Sequence, residues 1–370
     1  MNNIIYVSAT VPESLYQKQI PLNDKTDQQG QKFNRSVMKG FVENGFTVHA
    51  VCYRKNIVAD KSNFKENGIN WHILNCKNNK TAFIKSIREI RKLLKAYNNT
   101  FVFCDVLSMS VVAGAIIATK GRNCIGIVTD VPGIYNDGFN AYINRFFIKQ
   151  YAGYVFLTQA MNSILNPHNK PYCVMEGLYE DFGKTENSYE KNNQKFKIIY
   201  AGSLHKQYGI DKLLKAIHSI KDDDIELHLY GAGDYVDNIL KLEDNKSLFY
   251  HGVKDNNDVI EAEKKVDLLI NPRSKNELFT QYSFPSKTIE YMATGTPVLM
   301  QKLPGMPDEY CDYVFLYEED TEESLKNAII NIKNMPQEFL GQKGMAAKQF
   351  ILEKKNAKMQ INNIIKSFGI

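Results

Sequence analysis

The stretch FPSKTIEYMATGTPVLM, residues 284–300, decides how the second half of this chain is read. Ser286 and Lys287 stand where a helix should begin, Glu290 follows one turn later, and Gly295-Thr296-Pro297-Val298 stops the helix and leads into a strand. Ser286 is read as the helix cap, Glu290 and Thr294 as one face, and Ile289, Met292 and Ala293 as the buried face. The first turn of a helix carries free N–H groups and the positive end of the macrodipole. A lysine there costs roughly a few tenths of a kcal/mol unless an anion lies nearby. On this reading, removing Lys287 would leave the stability of the empty protein unchanged or raised. A local rule broken without visible compensation marks a candidate for function.

Working outward, short β-branched or aromatic runs alternate with helical periodicity along the whole chain: IIYVSA, FTVHAVCY, TFVFCDV, CIGIVTD and YVFLT, then, after residue 195, FKIIYAG, IELHLYGAG, SLFYHGV, VDLLINP and TPVLM. Alternating strands and helices imply parallel sheets of βαβ units. The nearly apolar-free GKTENSYEKNNQ from Gly183 divides the two series and reads as a linker. The expected architecture is α/β: two Rossmann-like, doubly wound domains facing a central cleft, with residues 1–182 as the first domain, 183–195 as linker, 196–338 as the second domain, and 339–370 as a helical segment returning to the first. In such sheets ligands gather beyond the carboxyl ends of the strands, so chemistry is sought there.

Several strand ends carry it. After FKIIYA come Gly202, Ser203 and, within the turn, Lys206, a pattern that lets backbone N–H groups approach an anion and a cation neutralise it. By itself it does not separate a phosphate cradle from an ordinary turn. A second glycine turn, Tyr230-Gly231-Ala232-Gly233-Asp234, and Arg273 of INPRS end two further strands. With Lys287 and the helix N-terminus holding a diphosphate, Glu290 is placed to accept two sugar hydroxyls, and the ligand so described is a nucleotide with a ribose. In the first half, CIGIVTD ends at Asp130, whose carboxylate either orients an acceptor hydroxyl and takes its proton or caps the turn that follows. The TDQQGQKF loop brings Gly30, Gln31 and Lys32 to the end of the first strand. Asp222-Asp223-Asp224 resembles a metal-holding D-x-D but precedes a strand, on the wrong side of the sheet, and reads as a solvated turn. The amphipathic FIKSIREIRKLLKAY, residues 83–97, reads as a sheet-covering helix with a basic outer face.

Composition narrows the classes. With 370 residues and 44% hydrophobic content the chain accommodates two ordinary cores. Residues 1–190 carry 22 basic and 15 acidic side chains, a balance compatible with an anionic membrane surface or acceptor but with no cluster dense enough for nucleic acid. The cysteines fall singly, without metal-ligand spacing, and read as reduced thiols. The longest apolar run, VVAGAIIA, is well below the roughly 18 residues that span a bilayer, and MNNIIYVSAT enters a strand at once, so a cytoplasmic protein is expected.

The glycine turn with its basic residue, the Y-G-x-G turn, and the Glu-bearing helix before A-x-G-x-P-V occur in the order found in the donor domain of retaining GT-B glycosyltransferases of family 4, which residues 196–298 resemble. FPSKxxEYMAxGxPV, GQKFNRSVMKGF and PYCVMEGL resemble the members that build bacterial surface polysaccharides. The resemblance implies a nucleoside-diphosphate sugar donor, a saccharide acceptor, lipid-linked in that group, and neither metal nor other cofactor. Taken with the strand-end readings, it places catalysis at Lys206 and Lys287, to which Asp130 is added by its strand-end position alone, since no family motif fixes it. Donor binding falls to Gly202, Ser203, Gly231, Gly233, Arg273, Tyr282, Ser286 and Glu290, with Gly30 and Gln31 added from the first-strand loop. Glu290 matches the second glutamate of the family's pair; the first falls on Tyr282, with Glu277 in the loop before it, and Ser203 stands where relatives carry arginine. It also implies placement at the cytoplasmic face of a membrane. A nucleotide-sugar epimerase of the same architecture and a non-catalytic subunit of a transferase complex remain open at this point.

Overall fold

The computed structural model describes residues 2–19, 28–106, 108–134, 138–179, 195–220, 222, 224–244 and 246–370. The chain forms two compact units, Met1–Leu178 with Ala357–Ile370, and Tyr179–Asn356. The expected linker, apart from Lys195, lies outside the described residues.

The first unit holds β1 (Asn3–Ser8), β2 (Thr47–Cys52), β3 (Asn63–Glu66), β4 (Ile69–Ile73), β5 (Phe101–Asp105), β6 (Cys124–Val128), β7 (Gly153–Phe156) and β8 (Tyr172–Val174), in the order 3-4-2-1-5-6-7-8. The inner strands are apolar on both faces because helices cover both; Ile4, Ile5, Tyr6 and Val7 of β1 are all fully buried. One pairing departs from the all-parallel expectation. β3 runs antiparallel to β4, joined through Asn67 and Gly68 with φ of 52° and 80°, the left-handed pair that a two-residue hairpin turn requires. The amphipathic helix spans Asn79–Ala96, starts at Asn78, whose side chain accepts the Thr81 N–H, and buries Ala82, Ser86, Ile90 and Leu93. It packs on the helix Met109–Thr119, where Gly114 leaves room for the Ser86 hydroxyl.

The second unit holds β9 (Phe196–Ala201), β10 (Ile225–Tyr230), β11 (Leu248–Tyr250), β12 (Leu268–Asn271), β13 (Val298–Met300) and β14 (Phe315–Leu316), all parallel, in the order 11-10-9-12-13-14. The winding reverses between β9 and β12, the place where such sheets open a crevice. Here the opening is visible in the register. The β9–β12 pairing ends at Ile199 opposite Leu269, although β9 runs on to Ala201 and β12 to Asn271.

The C-terminal segment 339–370 divides. The helix Gln337–Lys354 buries Leu340, Ala347, Phe350 and Ile351 and stays with the second unit, its Gly344 set against the Gly295 carbonyl. The helix Ala357–Phe368 belongs to the first unit, where Ile361 and Ile364 join its core beside the helix Gln28–Glu43. Two bonds within that unit fasten it: Gln360 Nε2 donates to the Gly177 carbonyl at 2.9 Å and Asn44 Nδ2 to the Lys358 carbonyl at 2.9 Å.

Gly40 makes this docking close. A Cβ there would lie 2.5 Å from Ile361 Cγ1 and 2.7 Å from the Ala357 carbonyl oxygen. Gly40→Ala is therefore expected to destabilise the protein by about 1–3 kcal/mol through overpacking, in spite of alanine's better helix propensity. Urea unfolding followed by circular dichroism measures this; unchanged stability would mean that the C-terminal helix shifts freely.

Candidate active site

The helix Ser286–Thr294 is fastened to both sides of the crevice. The Tyr291 hydroxyl accepts the Ala201 N–H at 2.7 Å and donates to the Ala201 carbonyl at 3.0 Å, which satisfies the β9 groups left over where β12 diverges. Asn271 Nδ2, at the end of β12, donates to Thr288 Oγ1 at 3.1 Å. Thr288, Ile289, Tyr291, Met292, Ala293 and Thr294 are buried, leaving Ser286 exposed and Lys287 and Glu290 half-buried at the mouth. The expected cap is corrected. Ser286 is the first helical residue, Pro285 occupies the cap position, and no side chain bonds there. Proline fits because its missing N–H and fixed φ match a helix start.

Lys287 is not without an anion. Its Nζ lies 2.7 Å from Glu290 Oε2 and 3.6 Å from Oε1 of Glu263, the last residue of the helix Asn256–Glu263. The Glu263 side chain is fully buried, and among the described residues the Lys287 ammonium is the one hydrogen-bonding group its carboxylate pairs with. Burial pushes the Glu263 carboxyl up to about 7, against the pull of Lys287. Burial draws the Lys287 ammonium down, but Glu290 and Glu263 more than offset this and hold it above its ordinary value. The compensation missing from the sequence reading is thus present, supplied from a helix more than twenty positions away.

Arg273 follows β12. Its guanidinium lies 4.4 Å from the centre of the Tyr208 ring and 5.7 Å from that of Phe279, two rings in edge-to-face contact. Burial lowers its pKa from the usual arginine value, and it keeps a fixed place rather than a free one. The two glycine turns form one double layer: Leu204 N–H donates to the Ala232 carbonyl at 2.8 Å and Tyr235 N–H to the Leu204 carbonyl at 3.0 Å. Gly231, at φ 129°, lies on the Gly202 carbonyl and Gly233 on the Leu204 carbonyl, where any Cβ would collide. The packing of these turns on each other is therefore enough to require both glycines. A Cβ on Gly202 would lie 3.3 Å from the Tyr200 hydroxyl; Ser203 is exposed, and its carbonyl accepts that hydroxyl at 2.9 Å. Lys206 opens a short 3₁₀ turn, Lys206–Tyr208, and is exposed. Tyr282 is half-buried after the turn Leu278–Gln281, and Glu277 before it is exposed. Asp222 accepts the Asp224 N–H at 2.9 Å and pairs with Lys333, as a turn residue does; Asp223 lies outside the described residues.

The remaining expected residues belong to the first unit. Gln31 is buried in the helix Gln28–Glu43, not in a loop, and its amide accepts the Val11 N–H at 3.0 Å and donates to the Ala9 carbonyl at 3.2 Å. It thereby fixes the chain after β1. The Gly30 carbonyl accepts from Asn34 Nδ2 at 2.9 Å. Asp130 Oδ1 accepts the N–H of the adjacent Val131 at 2.8 Å, while burial raises its carboxyl above the usual range.

The two doubly wound units together correspond to a GT-B architecture. Residues 181–350, just under half of the chain, match the family model described as Glycosyl transferases group 1, which supports a glycosyltransferase of that group. An uncharacterized glycosyltransferase of Methanocaldococcus jannaschii is 24% identical over 199 residues, 51% of this chain and 49% of that protein, so the chain matches about half the length of that curated relative. The fold is similar to that of sucrose-phosphate synthase from Thermosynechococcus elongatus (TM-score 0.69, 11% identity, 100% of this chain and 99% of that one). It is also similar to a variant of S. aureus TarM in complex with UDP and alpha-GlcNAc-glycerol (TM-score 0.64, 14% identity, 100% of both chains).

The buried acid sets a pH dependence. Because the folded value of Glu263, about 7, exceeds its unfolded value, its contribution to stability is fully present below about pH 4.5 and is lost as pH rises through 7. The loss is on the order of 3 kcal/mol. Glu263→Gln should remove this part of the slope, so that the variant gains on the parent between pH 5 and 8 in urea unfolding. Lys287→Ala should instead cost about 1–3 kcal/mol at pH 8, where Glu263 would stand charged without its cation, and less at pH 5. A Lys287→Ala variant as stable as the parent at pH 8 would show that the pairing carries no weight.

Proposed function

We propose that this protein transfers a sugar from a nucleoside-diphosphate sugar to a saccharide acceptor with retention of anomeric configuration, without a metal ion, in the synthesis of a bacterial surface polysaccharide. The observation that carries the reading is the crevice at the β9–β12 switch point. The helix N-terminus with Lys287, the half-exposed carboxylate of Glu290, the fixed guanidinium of Arg273 and the backbone of Gly202 and Ser203 border it. A diphosphate wants fixed positive charge and N–H donors; a ribose wants a carboxylate one turn away. The solved complex of TarM with UDP is consistent with a nucleotide at such a site.

In the proposed reaction the bond between the anomeric carbon and the donor phosphate oxygen breaks, and its electron pair leaves with the diphosphate. The acceptor hydroxyl oxygen forms the new bond to that carbon, and its proton passes to Asp130, whose raised pKa suits a base in a partly buried place. Lys287, Arg273 and Lys206 neutralise the charge that develops on the leaving group, which is the part a metal plays elsewhere. Ser286 and Tyr282 are assigned to donor binding, and Gly231, Gly233, Gly30 and Gln31 to shaping the strand-end segments that the donor would meet. A lipid-linked acceptor, and work at the cytoplasmic face of a membrane, follow from the FPSKxxEYMAxGxPV resemblance and the basic balance of residues 1–190.

Calorimetric titration with UDP, GDP, CMP and dTDP identifies the nucleotide. Glu290→Ala is expected to abolish its binding while the fold is retained. Turnover is expected to survive EDTA, whereas Lys206→Ala with Lys287→Ala should lower kcat/KM by at least a hundredfold. Unchanged nucleotide affinity in folded Glu290→Ala, or turnover that stops with EDTA and returns with Mn²⁺, would overturn the reading.

A further inference from the structure

Glu263 raises a question that packing does not answer. A fully buried carboxylate paired with a lysine 3.6 Å away is a poor stabilising device, since the desolvation of two charges exceeds what such a pair returns. A neutral side chain of similar shape would serve the core better. What the charge itself can do is set by its neighbours. Lys287 and Glu290 face it from the helix Ser286–Thr294, together with the Tyr291 ring system; Tyr230 faces it from β10; Lys264 is next to it on its own helix. The Glu263 backbone is anchored, its carbonyl accepting the Thr296 hydroxyl at 2.8 Å.

The two carboxylates that share Lys287 differ in access. The Glu290 side chain is 20% exposed and Glu263 is 0% exposed, so a ligand reaches the first and never the second. Glu290 is engaged with Lys287 at 2.7 Å. A ribose that takes Glu290 must loosen that pair, and a lysine released from its nearer carboxylate would otherwise swing on its four-carbon stem.

We propose that Glu263 is a positioning residue, which retains the Lys287 ammonium at the start of the helix Ser286–Thr294 when Glu290 leaves it for a ligand hydroxyl. The proposal rests on the donor-site reading above. It makes the triad a relay of one cation between an accessible and an inaccessible carboxylate, so the diphosphate meets a lysine already in place.

The sign of the effect discriminates. If Glu263 acted only as a nearby negative charge, its removal would tighten binding of any anion. If it positions Lys287, Glu263→Gln leaves the lysine wholly with Glu290, and a ligand needing Glu290 must break that pair unaided. The test is calorimetry at pH 8 with the nucleoside diphosphate that binds the parent best among UDP, GDP, ADP and dTDP, and with inorganic pyrophosphate, which has no ribose. Glu263→Gln is expected to weaken the nucleoside diphosphate about tenfold and to leave pyrophosphate unchanged or tighter. The weakening should disappear when Lys287→Ala is already present. Equal or tighter nucleoside-diphosphate binding by Glu263→Gln overturns the proposal, as does equal weakening of both probes. Should that variant not fold, Glu263→Asp decides: a severalfold loss confined to the nucleoside diphosphate supports positioning, and parental affinity overturns it. A parent that binds none of the four nucleotides overturns the donor-site reading, and this proposal with it.

Discussion

The Tyr291 hydroxyl holds the crevice in shape. Where β9 and β12 part company, the Ala201 N–H and carbonyl lose their sheet partner, and a buried peptide left so would cost on the order of 1–3 kcal/mol for each group. A hydroxyl can donate and accept at once, so one side chain repairs both. Burial holds that hydroxyl protonated, far above the usual tyrosine range, which keeps it available as a donor at any ordinary pH. Phenylalanine would fill the same space and leave both groups orphaned. The tyrosine therefore fixes the helix Ser286–Thr294 against β9, as Thr288 fixes it against Asn271 of β12. Every functional assignment on that helix inherits its geometry from these two ties.

Charge follows from that geometry. A cation at a helix N-terminus works against the dipole, and a carboxylate sealed in a core works against solvation. Each is tolerable here because the other is present. The triad of Glu263, Lys287 and Glu290 places the positive group between two negative ones, of which only Glu290 is open to solvent. An arrangement that is mediocre for stability is thereby well suited to a site that must change partners.

The sequence carried the architecture because apolar runs buried on both faces, separated by helical periodicity, have few other solutions; the glycine turns and the PSK segment marked the strand ends for the same reason. What it concealed was long-range or two-sided. Glu263 lies in EAEKKVD, a segment with the composition of any exposed helix end, and nothing local indicates that Lys287 will lie over it. Gly231 and Gly233 looked like ligand glycines, yet the demand of the neighbouring turn accounts for them, a distinction that needs the backbone 29 positions away. Ser286 had the chemistry of a cap, but Pro285 before it had the better geometry. The Asn67-Gly68 hairpin, by contrast, was readable: ENGI is a two-residue turn signal within a β-rich stretch.

The cations of the site differ in what they have already given up. Arg273 is stacked on Tyr208 and Phe279 before any ligand arrives, and Lys287 is held by two carboxylates, so little side-chain entropy remains to be lost by either. Lys206 is exposed on a short turn, with no comparable tie among the described residues. A fixed charge lowers the reorganisation needed as a leaving group gains charge, whereas a mobile one can follow a group that moves. The division places the two held cations on the side of the crevice formed by β12 and the helix after it, and the mobile one on the turn after β9.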